Sequence, residues 1–144
     1  MATAPAWNHT RSLHPLHAIL LAGSLPLFLG ALLADWAYSA TYEVQWTNFA
    51  AWLIAGGLVF VGFALLWAIL AALRGSRART GGGWLGAGLL AATFLFGLVN
   101  ALVHAKDGWA AMPAGLILSL ILVALALVAI WIGFAPTHER TRHA

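Results

Sequence analysis

The chain has 144 residues, 62% of them hydrophobic and only 8% charged, with a formal net charge of +3 and no cysteine. So few charges cannot solvate the surface of a soluble domain this small, which leaves a membrane protein. The missing cysteine removes disulfide frameworks, thiolate metal sites and iron–sulfur clusters built from this chain alone. The basic balance rests on seven Lys and Arg residues that form no basic face interleaved with aromatics, so nucleic acid is not the partner they imply.

Residues 1–12 read as a short polar arm and residues 136–144 as a polar tail opened by Pro136. Between them lies one transmembrane domain, 13–135, with helices expected at about 13–36, 46–73, 82–105 and 110–135, each long enough for the roughly 20 apolar residues that cross a bilayer core. The runs are continuous and rich in Leu and Ala, unlike the short alternating segments of a spanning barrel. The fold class is all-α, a four-helix up-down bundle in the membrane.

The first helix opens at His14-Pro15-Leu16-His17, and Pro26 predicts a kink near Gly23 to Pro26. A cleaved signal peptide competes for this segment, but the apolar run exceeds the usual core of about 7–15 residues, so it reads as an uncleaved span. The connection from Asp35 to Gln45 carries Trp36, Tyr38 and Tyr42, with Trp46 just beyond, aromatics that suit the headgroup level. The loop from Arg74 to Gly83, rich in Arg and Gly, should be flexible. Gly82, Gly86, Gly97, Ala101 and Ala105 in the third helix, with Gly115 and Ser119 in the fourth, mark close-packing faces within one bundle or between protomers of a homo-oligomer.

Charge sets the topology. Arg11, Arg74, Arg77, Arg79, Arg140 and Arg142 share one side of an even number of crossings, whereas Lys106 is the sole basic residue on the other. That asymmetry places both termini in the cytoplasm.

Polar residues fall into two groups at opposite faces. On the cytoplasmic side His14 and His17 can cap and anchor the helix or ligate a cofactor. On the outer side Asn100 and His104, four apart on one helix face, reach the depth of Asp35, Gln45 and Asn48, and a carboxylate there can orient the imidazole. His17 and His104 should lie roughly 30 Å apart, so they cannot share one iron. A b-type haem at His14 or His17 would need a histidine from another protomer, His138 or His143 on the tail, or a different ligand. There is no nucleophile–base–orienter set, no carboxylate pair and no metal cluster, so an enzyme acting alone is not expected.

The runs His14 to Leu21, Ala34-Asp35, Gln45 to Gly56 and Asn100 to Trp109 resemble the bacterial four-helix membrane family known as domain of unknown function 2231. The similarity covers about residues 12–135. Here His17 is followed by Ala-Ile-Leu, where many members have His-Phe-Pro. The resemblance implies a bacterial inner-membrane protein, an accessory domain beside redox modules such as Rieske proteins and quinoprotein dehydrogenases, and it admits a haem b or a quinone as cofactor. Three functions stay open: a cofactor-free anchoring or assembly subunit for a periplasmic redox partner, an electron-transfer subunit with haem or quinone, and a small transporter. The last is disfavoured because no ionisable residue is expected at mid-membrane.

Overall fold

The computed structural model describes residues 13–74, 83–106 and 108–135. The arm, the tail with His138 and His143, and the Gly/Arg-rich loop expected to be flexible fall outside the described residues. Every regular element among the described residues is helical: α1 (Pro15–Thr41), α2 (Val44–Leu73), α3 (Gly83–His104), the single turn α4 (Gly108–Ala111) and α5 (Ala114–Phe134).

Local chemistry sets the helix ends. His14, in an extended conformation, caps α1 by accepting the Leu16 N–H at its Nδ1, and Pro15 fills the first turn, where a missing N–H costs nothing. The helix then continues through Pro26. It also runs about five residues beyond its expected end. Ser39 and Thr41 hydroxyls hydrogen-bond back to the Trp36 and Ala37 carbonyls, and Tyr42, left-handed at φ 58°, closes the helix through its N–H on Tyr38 O. The connection expected from Asp35 to Gln45 therefore shrinks to Tyr42 and Glu43. In the fourth span Pro113 brings no N–H to a helical ladder and disfavours helical backbone at Met112, so the continuous helix expected from 110 divides into α4 and α5.

α1 packs on α2 and α5, and α3 packs on the same two helices, which closes a ring with α1 facing α3 across the bundle. Leu21, Phe28, Val61, Leu90, Leu122 and Ala126 fill its interior. Close approach depends on glycine where large side chains cross: a Cβ on Gly57 would stand 2.2 Å from Cε1 of the Phe28 ring, and one on Gly97 would stand 2.7 Å from Leu58 Cδ2. Over an 18-residue apolar stretch of each span only 28–33% is buried inside the bundle although mean hydropathy is 1.9–2.9, so the remaining apolar faces, including Trp52, Leu95 and Trp131, need lipid as their solvent. The four long helices are each able to span a membrane.

α1 places the two polar groups at opposite ends. His17 and Asp35 are 18 residues apart on it, or about 27 Å at about 1.5 Å per residue. Asp35 lies six residues before Thr41, about 9 Å inside a helix about 40 Å long, which brings its carboxylate to the margin of a hydrocarbon core about 30 Å thick.

Packing at Gly57 is open to test. Gly57→Ala should destabilise the bundle by about 1–3 kcal/mol because the buried Phe28 ring must move. Gly88→Ala, whose added carbon meets nothing within 4 Å, should be neutral or stabilising by up to about 1 kcal/mol. Unfolding in mixed micelles measures both, and equal losses would contradict this packing.

Candidate functional site

The end of the bundle opposite His17 gathers Asp35 from α1, Asn100 and His104 from α3 and Ser119 from α5 into one buried network. His104 Nε2 lies 2.7 Å from Asp35 Oδ1, with both side chains fully buried. The Ser119 hydroxyl donates to Asp35 Oδ2 at 2.6 Å, and Asn100 Nδ2 donates to Ser119 Oγ at 2.9 Å. The other imidazole nitrogen, Nδ1, lies 3.0 Å from the backbone carbonyl of Asn100, one turn back on its own helix. Asp35 thus has both carboxylate oxygens engaged, one from each of two neighbouring helices.

Helical spacing builds this arrangement. Asn100 and His104 stack on one face of α3, and Gly115 and Ser119, also four apart, stack on the facing side of α5. Because the helices are antiparallel, Ser119 meets Asn100 while Gly115 lies beneath His104. A Cβ on Gly115 would stand 2.9 Å from His104 Cε1, so the glycine makes the room that lets the ring reach Asp35.

Of the five outer residues singled out in the sequence, the structure joins Asp35, Asn100 and His104 and leaves Gln45 and Asn48 outside. The start of α2 turns both outward: Asn48 is exposed, and Gln45 hydrogen-bonds Glu43 at 3.0 Å. Asp35 is fully buried rather than solvated. Ser119, expected only as a packing residue, is the member that sequence reasoning missed. Its signal was the matching four-residue spacing of Gly115/Ser119 and Asn100/His104 on consecutive spans.

At the other end His14 is exposed and stacks on Trp67, with ring centroids 4.7 Å apart and planes inclined by 36°. His17, 1% exposed, has its Nδ1 buried without a hydrogen-bond partner among the described residues. With His14 capping α1 and His17 in its first turn, three residues on, these imidazoles cannot take opposite faces of a single iron. The described residues contain no group of three or more His, Cys, Asp or Glu able to hold a metal ion.

Such a network ties three helices together at one depth. A double-mutant cycle on Asp35→Ala and His104→Ala should show coupling of about 0.5–3 kcal/mol in unfolding experiments, each single change leaving a buried polar partner unmet. Gln45→Ala and Asn48→Ala should each stay within about 0.5 kcal/mol of the unaltered chain. Additive losses at Asp35 and His104 would contradict the pairing.

No curated protein matches the chain, and no solved structure matches it. A family model described as "Predicted membrane protein (DUF2231)" matches residues 13–140, nearly the whole chain, and with its four apolar helices the protein belongs to that family.

Proposed function

We propose that this protein is a cofactor-free anchoring or assembly subunit of the bacterial inner membrane, docking a periplasmic redox partner at its Asp35 end. The observation that carries the reading is that the network meets Asp35 and His104 from within the bundle. Asp35, Ser119 and His104 use their polar side-chain atoms on one another and on Asn100, so this end of the bundle is built as a fixed platform rather than an open pocket. Around it Trp36, Tyr42, Gln45 and Asn48 are exposed, an aromatic and polar rim that suits a headgroup layer or a docked protein.

The buried, unpartnered Nδ1 of His17 favours a second reading, electron transfer through a b-type haem or a quinone. The residues do not fit a haem held inside one bundle. His104 commits both nitrogens to Asp35 and Asn100 about 27 Å away, and Leu21, Ala64, Ala68 and Leu90 fill the interior beyond His17. The same apolar plug, with Phe28, Val61 and Leu122, separates the two polar ends and speaks against a transport pathway.

Affinity capture from native membranes, with an absorption spectrum of the purified material, tests the proposal. The expected result is a partner that is retained by the His17→Ala variant and lost when Trp36, Gln45 and Asn48 are changed together to alanine, with no Soret band in the protein alone. A Soret band abolished by His17→Ala would overturn it in favour of electron transfer.

A further inference from the structure

We propose that Asp35 and His104 form a proton-holding site in which the pair carries two protons and no net charge, with Ser119 and Asn100 as positioning residues. This goes beyond the anchoring role and does not rest on it.

The proton count follows from which atoms can donate. Ser119 gives its single hydroxyl hydrogen to Asp35 Oδ2, so its Oγ must accept from Asn100 Nδ2. That sequence fixes the Asn100 amide orientation and leaves its Oδ1 buried with no partner among the described residues. With Oδ2 receiving a hydrogen, any proton on Asp35 sits on Oδ1. The Asn100 backbone carbonyl can only accept, so the contact at 3.0 Å requires a hydrogen on His104 Nδ1. The 2.7 Å contact between Nε2 and Oδ1 requires one more, on the nitrogen or on the oxygen. One proton in total would set two acceptors against each other at one of these contacts. Three would set two donors against each other between Nε2 and Oδ1. The remaining arrangements are imidazolium with carboxylate and neutral imidazole with carboxylic acid, and each has zero net charge.

Neutrality is what this position demands, because an unbalanced charge enclosed by three apolar helices is costly. Among the described residues no other charged group stands inside the spans to balance one. α2 and α5 carry no titratable residue, α3 carries only His104, and α1 adds His17, about 27 Å away, and Tyr38, one turn from Asp35. Glu43 and Lys106 are exposed beyond the helix ends. Removing one proton from the pair therefore breaks either the imidazole's contact with Asp35 or its contact with Asn100. In the first case the last turn of α3 is released from α1, which makes the pair a proton-dependent latch at the platform end.

Nitrogen NMR of the His104 ring together with carbon NMR of the Asp35 carboxyl, on the labelled full chain in lipid nanodiscs with both residues assigned through their own backbones, reads the count without any substitution. At neutral pH the expected result is a hydrogen on Nδ1, with the second proton either on Nε2 or on Asp35. A ring protonated on Nε2 alone, or on Nδ1 alone beside an ionised Asp35, would overturn the proposal. Raising the pH until one proton is lost should speed amide exchange in the last turn of α3, and unchanged exchange there would overturn the latch.

Discussion

A carboxylate at the margin of the hydrocarbon core must find hydrogen-bond donors within the protein, because lipid offers none. Asp35 finds partners for both its oxygens on two different helices: the Ser119 hydroxyl from α5, which donates, and the His104 ring from α3. Satisfying one side chain therefore fixes three helices at a common depth. An interhelical hydrogen bond in a membrane is worth about 0.6 kcal/mol on average, so the network's importance lies less in net stability than in the penalty for every register that leaves Asp35 unmet. Packing alone would discriminate weakly between such registers, since α2, α3 and α5 each present long runs of similar Leu, Ala and Val side chains.

Small residues allow the polar contact, and large ones confine it. Gly115 leaves the volume into which the His104 ring fits, much as Gly57 leaves room for Phe28 lower in the bundle. Beneath the network Phe28 and Leu122 are fully buried, and the buried Thr93 and Ser24 hydroxyls donate to carbonyls of their own helices, until His17 near the opposite end. Titratable side chains within the spans are thus held at two separate levels. At the Asp35 end the carboxylate and the imidazole are both met within the bundle, which suits the proposed part in holding another protein in place.

Much of this architecture was legible in the sequence, because the bilayer imposes its own length and polarity on any segment that crosses it. Four charge-free runs gave the four spans, and the His14-Pro15 pair gave the start of the first. Their far ends were harder to read. Local side-chain-to-backbone hydrogen bonds at Ser39 and Thr41 carry α1 past the polar residues that suggested a loop, and Pro113 breaks a segment whose hydropathy is continuous. The meeting of Asp35, Asn100 and His104 followed from depth and from the four-residue spacing. Depth alone also drew in Gln45 and Asn48, since it does not say which way a side chain turns about its helix axis. Ser119 was overlooked because a serine among small residues reads as a packing surface, and only the antiparallel register of α3 and α5 shows it facing a carboxylate.

The central claim is that His104 is enclosed and has both ring nitrogens engaged within the bundle. Residue-by-residue acylation of the histidines in intact membranes, read by mass spectrometry, tests this most directly. The account expects exposed His14 to react while His104 stays protected until the bundle is unfolded. Reaction of His104 at the rate of His14 in the folded protein would show an open, solvated ring and would contradict the network on which the bundle's register depends.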